Sequence, residues 1–299
     1  MSRPRHPHHS HSTACDERRG GLGGFLRTLL AGIPWSERVE CVDTLQFSAP
    51  GGCTLRIHNV NGKTCVRGEA RDDIEVKACK SARAESAEAA SQLLEDIHLV
   101  DVEMGGVLSL DVEIPRRWNR HGSVNLEIRV PDKLRVEVNA ANGKVSIAGL
   151  RNAVKARSSN GSVTVSDVVG DVDIMTSNAK VECSDTCGRL VARSSNGKVE
   201  VDGHRGSIDA STSNGLISAS VDDVSREGIV LSTSNGRIVL DLPEQVDADV
   251  DMQVDNGVIR NDRTLGGGTR ETNGRLRGTL GRGGAPVRLR TSNGSIALR

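Results

Sequence analysis

The chain has 299 residues, with 39 Lys+Arg balanced by 39 Asp+Glu, and only four aromatic residues: Phe25, Trp35, Phe47 and Trp118. A neutral chain without Tyr lacks both the charge of a general nucleic-acid binder and the stacking platform of a single-strand binder. No apolar run approaches the ~20 residues of a membrane span, and the core has to be built from Val, Ile, Leu and Ala.

Residues 1–40 read as a disordered, His- and Gly-rich tail followed by a short helix. His6, His8, His9, His11 and Cys15 lie in a stretch with no packed surroundings to fix a coordination geometry, so no metal site is assigned to them. The same stretch lacks the apolar core of a secretory signal, and the expected location is cytoplasmic. Leu22–Trp35 carries Leu26, Leu29, Leu30 and Ile33 at helical spacing.

Residues 41–68 form a first coil around Asn61-Gly62, and 69–130 an insert. Within the insert the pattern predicts a helix over Ser81–Ile97 with Ser81 as its cap, then a hairpin of Ile97–Met104 and Val107–Ile114 joined at Gly105-Gly106. Such an insert would cap one end of a rod, whose open edge otherwise recruits other strands.

Residues 131–299 repeat. The asparagines Asn142, Asn160, Asn178, Asn196, Asn214, Asn235, Asn256, Asn273 and Asn293 are each followed by Gly, except for Asn178-Ala179. Their numbers rise by a constant 18 from Asn142 to Asn214, then by 21, 21, 17 and 20. Positions six and four before Asn, and three after, are apolar in nine of ten units when Asn61 is included. Period two on both sides of a fixed turn means two half-buried strands per unit. Asn-Gly between alternating strands is also the signature of a hairpin, so an antiparallel meander is the rival. The rigid spacing, with like residues falling in one column, favours parallel stacked coils, with a ladder of Asn side chains bonded coil to coil. The fold expected is all-β, a β-solenoid of about nine to ten coils with a helix-plus-hairpin insert. Units from Asn142 onward are expected to stack in sequence order.

The run SSNGSVTVSDVVGDVDIMTSNAKVECSD, the recurring [ST]SNG[KR][IV] corners and the insert ARAESAEAASQLLEDIHLVDVEMGGVLSLDVEIP together resemble the bacterial "putative adhesin" family of β-solenoid proteins with a domain of unknown function, over residues 41–299. The resemblance implies a solenoid fold, a loose adhesin role and association with the cell envelope.

The sequence offers no catalytic constellation and no cofactor motif. Gly62-Lys63-Thr64 lacks the upstream glycine of a phosphate loop, with Ile57 standing there instead. Seven cysteines, an odd number, read as reduced thiols. Cys183 falls in an apolar column and reads as core, and Cys183-x-x-x-Cys187 has the wrong spacing for zinc. Asp222-Asp223 reads as a solvated loop. Charge is segregated: 200–255 holds twelve acids and three Arg, whereas 257–299 holds nine Arg and two acids. Laid out along a solenoid axis, this predicts a basic interaction end, with Arg275, Arg277 and Arg282 as its candidates.

The function expected is a non-enzymatic structural or binding solenoid. Its partner is an unknown protein or envelope polymer, or a second copy of the chain, and no specific nucleic acid is expected. The alternatives are a cytoplasmic self-assembling scaffold and, third, a polysaccharide-acting β-helix enzyme.

Overall fold

The computed structural model describes residues 37–49, 54–115, 121–272 and 274–299. The amino-terminal tail, the helix expected over Leu22–Trp35, Cys15, Cys53 and Asn273 lie outside them.

The repeat forms parallel stacked coils. Each coil is two main strands meeting at the Asn-Gly turn. The strands before the turn are β2 (Thr54–Asn61), β8 (Arg135–Asn142), β10 (Val154–Ser158) and β12 (Val172–Thr176); those after it are β3 (Thr64–Glu69), β9 (Val145–Leu150) and β11 (Val163–Val169). Further on the corners stay hydrogen-bonded, so β13 (Val181–Ser194), β14 (Val199–Asn214) and β15 (Ile217–Asp241) each run on from one coil into the next. Pairing is in register: Val154 lies beside Val136 and Val172, Val163 beside Val145 and Val181. Like thus sits on like, and the apolar columns become one continuous core of aliphatic side chains.

The remaining corners are also periodic. Gly149, Asp167, Asp185 and Gly203 stand at equivalent places in successive coils, and all adopt the left-handed conformation (φ between 48° and 73°), bending the second strand of each. Only Gly and, at modest cost, Asp or Asn tolerate this region, which explains the residue types in that column. At the Asn turn of one coil, Gly143 has φ 134°, and a Cβ there would lie 2.1 Å from the Gly62 carbonyl oxygen.

A Ser/Thr column two residues before Asn, formed by Ser158, Thr176, Ser194, Thr212, Thr233 and Thr291, points inward. Its hydroxyls close the turn of the neighbouring coil: Thr176 donates to Gly161 O (3.4 Å), Ser194 to Ala179 O (3.3 Å), Thr212 to Gly197 O (3.0 Å) and Thr291 to Gly236 O (3.3 Å). In the first coil Asn59 fills this place. Its amide donates to Val124 O and to the Thr64 hydroxyl, and its Oδ1 is buried with no partner among the described residues.

Stacking departs from sequence order at both ends. At the carboxyl end the chain leaves β15 and passes through 242–247. It then forms β16 (Ala248–Asn261), a hairpin of β17 (Gly266–Thr272) and β18 (Arg275–Leu280), and finally β19 (Ala285–Leu298). β19 lies between β15 and β16, parallel to both: Leu289 is opposite Leu231 on one side and Met252 on the other. β18 runs antiparallel along the outer side of β16, and β17 along β18. The unit around Asn273 is therefore a capping hairpin and no coil, and the expected sequential stack ends at Asn235.

The amino end does the same. β6 (Val107–Glu113) and β7 (Gly122–Pro131) form a further parallel layer outside β2 and β3. β5 (His98–Met104) covers β6 antiparallel, β4 (Asp73–Ala84) covers β7, and β1 (Glu37–Ser48) covers β4. The expected hairpin at Gly105-Gly106 is present. The helix is shorter than expected: α1 spans Ala87–Glu95, and Ser86, not Ser81, accepts the capping bond from Ala89 N (3.2 Å). Ser81 belongs to β4, where Ala82 and Ala84 are buried and partners stand on both sides, so pairing overrides helix propensity.

Candidate functional site

Nine asparagines form one unbroken ladder. In spatial order it runs Asn61, Asn142, Asn160, Asn178, Asn196, Asn214, Asn235, Asn293, Asn256, each Nδ2 donating to the preceding Oδ1 at 2.9–3.1 Å. The ladder is exposed along one edge of the rod.

Beside it runs a second exposed column. The residue before each Asn is Ser159, Ser177, Ser195, Ser213, Ser234 and Ser292 on six consecutive rungs, closed by Asp255. At ~4.8 Å per rung this places six hydroxyls along ~24 Å. The SNG corners made the column visible in the sequence, but the inward Ser/Thr column beside it draws attention first. Where the column meets the carboxyl-terminal coils, the outer surface dips into a concavity of about 430 Å³ lined by Ser211, Ser213, Ser232, Ser234, Ser292 and Arg290.

The insertion of β19 decides the charge of that surface. Val287 and Leu289 point inward, so Arg288 and Arg290 point out, and in register with them on β16 are Asp251 and Gln253. On the next strand Arg277 and Arg275 face the same two residues. Arg275 grips Asp251 with two bonds, Nε to Oδ1 at 2.8 Å and Nη2 to Oδ2 at 2.6 Å, and Arg277 Nε lies 3.4 Å from the same carboxylate. These guanidinium partners, Arg275 foremost, hold the Asp251 carboxyl below its ordinary range. Arg275 and Arg277 thus hold one carboxylate, Arg288 and Arg290 stand on the adjoining strand, and Asp255 lines the concavity together with Arg290. Arg288 and Arg290 have no acidic partner among the described residues.

Arg282 stands apart. It sits in the turn before β19, where its backbone N–H and guanidinium both bond Asp247 (2.8 and 2.9 Å), and these bonds lower the Asp247 pKa. Each of the three candidate arginines thus sits against an acid of the preceding segment, Arg275 and Arg277 on Asp251 and Arg282 on Asp247. The fold interleaves the acidic and basic segments at these positions.

Elsewhere the titratable groups serve the fold. Cys183 is buried, its thiol pushed up to about 12 by desolvation, and Cys187 is exposed. Asp222 is exposed, 3.4 Å from Arg205, and Asp223 is exposed beside it. His204 is buried between the Thr186 hydroxyl (2.9 Å) and the Ser207 carbonyl (3.1 Å). Since a carbonyl only accepts, Nε2 carries the proton and Nδ1 accepts from Thr186. Sequence reading missed His204, because a lone His between Gly203 and Arg205 carries no pattern. Among the described residues no three His, Cys, Asp or Glu side chains converge as metal ligands. No helix there is long and apolar enough to cross a membrane.

Residues 55–299 match the Toastrack DUF4097 family. The chain belongs to that family. Its function is not assigned, so membership accounts for the solenoid and names no ligand. Two solved structures are similar to the chain at low identity. One is a "putative cell adhesion protein" from Clostridium sporogenes, at 8% identity and TM-score 0.27, covering 88% of this chain and 99% of that one. The other is a "putative adhesin" from Bacteroides fragilis, at 10% identity and TM-score 0.47, covering 87% of this chain and 97% of that one. No curated protein matches.

Proposed function

We propose that this Toastrack protein is a non-enzymatic, adhesin-like binding rod whose contact surface is the serine–asparagine edge and the concavity beside it. The observation that carries the reading is the six-rung exposed serine column running into that concavity. Its hydroxyls are held at fixed spacing by a backbone bonded on both sides, so a ligand meets donors and acceptors that lose little freedom on binding.

Cell fractionation together with envelope co-sedimentation tests it. The expected result is saturable binding of the purified protein to envelope material, weakened by Ser213→Glu combined with Ser234→Glu. Recovery wholly in the cytoplasm, with concentration-dependent assembly and no envelope binding, would favour the scaffold alternative instead.

A further inference from the structure

The binding reading leaves the chemistry of the ligand open, and the arginines narrow it. We infer that the surface formed by Arg288, Arg290, Arg275 and Arg277 with the adjoining serines takes an anionic glycan, a sugar chain carrying carboxylates; this rests on the binding reading above.

The first argument is charge left over. Asp251 is occupied by Arg275 and Arg277, so it does not quench Arg288 and Arg290 on the neighbouring strand. Those two guanidinium groups alternate with buried Val287 and Leu289, and so project from the same face two residues apart. A planar guanidinium with free N–H groups is matched by a carboxylate that accepts two parallel bonds.

The second argument is what surrounds them. Arg290 is flanked by Ser232 on one strand and Gln253 on the other, and it lines the same concavity as Ser211, Ser213 and Ser234, with Asp255 the one acid of that lining. Hydroxyls and an amide beside a guanidinium suit the mixed hydroxyl and carboxylate chemistry of an acidic sugar.

The third is what the surface cannot offer. No aromatic residue follows Trp118 in the sequence, so neither a neutral sugar face nor a nucleobase finds a ring to stack on. Without stacking, charge-assisted hydrogen bonds have to supply the affinity, which favours an anionic sugar chain over a neutral one and over single-stranded nucleic acid.

The test uses the full chain and polygalacturonate as probe, with neutral dextran and single-stranded DNA for comparison. The wild type should bind polygalacturonate, more weakly as salt rises, and should prefer it to both others. R288E/R290E should lose about tenfold or more in affinity with an unchanged melting temperature. Arg282→Glu, the same kind of charge reversal placed outside the cluster, should leave binding close to wild type. Undiminished binding by R288E/R290E, preference for DNA, or no binding to polygalacturonate overturns the assignment. Binding to dextran that R288E/R290E retains would overturn the anionic class alone and leave the binding reading standing.

Discussion

Asn256 donates its side-chain amide to Asn293, 37 residues further along the chain, and not to Asn235, the preceding asparagine of the repeat. β19, the last of the described strands, is an internal rung. The chain steps over one position, caps the rod with β17 and β18, and returns to fill the gap. The same relationship brings Arg288 and Arg290 between serine-bearing strands on one side and Asp251 on the other.

The ladder has interior and terminal rungs, and they should differ in worth. Asn196 both donates to Asn178 and accepts from Asn214, whereas Asn256 makes one side-chain bond. At a net ~0.5–1.5 kcal/mol per hydrogen bond, Asn196→Ala should cost about twice as much as Asn256→Ala. Urea midpoints of the two variants measure this; equal losses would show that the amides do not act as a chain.

Val181 is fully buried in the aliphatic column, and Lys180 points to solvent, where it pairs with Glu182 and Glu200. Val181→Asp places an unpaired charge in the core and should cost more than ~4 kcal/mol. Lys180→Ala loses a largely exposed ion pair and should cost about 1 kcal/mol or less. Thermal melts of both variants decide the strand register, and similar losses would contradict it.

Stability should also depend on His204. Burial lowers its pKa in the folded protein, so the unfolded chain takes up a proton first as pH falls. Its contribution is complete above the ordinary histidine value of ~6.5 and is lost as pH drops from there toward the folded pKa. His204→Gln should flatten the stability profile below about pH 6.5. A wild-type profile already flat there would mean that the folded His204 takes up its proton as readily as the unfolded chain does.

The coils themselves were legible in the sequence because stacking repeats the same environment once per coil, so Val154, Val172 and Leu190 report one column three times. The ends were not, because each happens only once. The intervals from Asn214 to Asn235 and from Asn235 to Asn256 are equally long and look alike in the sequence. The first is taken up by an irregular stretch of β15 near Val221–Ile229, and its coil still stacks on the one before. The second takes up its extra length in 242–247, where three added residues give ~10 Å of reach, enough to step over a rung of ~4.8 Å. Nothing local distinguishes a bulge from a skip. The charge split was legible as composition, but its meaning depended on that skip: read in sequence order it makes a basic tip, whereas in the fold Asp247 and Asp251 meet Arg282, Arg275 and Arg277.

The placement of β19 is the point on which the binding surface depends, and disulfide trapping tests it most directly. Ser232 and Arg290 are in register on adjacent parallel strands, whereas Ser232 and Gln253 are separated by the β19 strand. Adjacent strands lie ~4.8 Å apart, within the Cα range of a disulfide, and strands two apart at about 9.6 Å lie beyond it. Under mild oxidation, with peptide mapping as the readout, Ser232→Cys with Arg290→Cys should cross-link within one chain, and Ser232→Cys with Gln253→Cys should not. Efficient cross-linking of the second pair in place of the first would put β16 directly on β15 and remove the arginine surface described here.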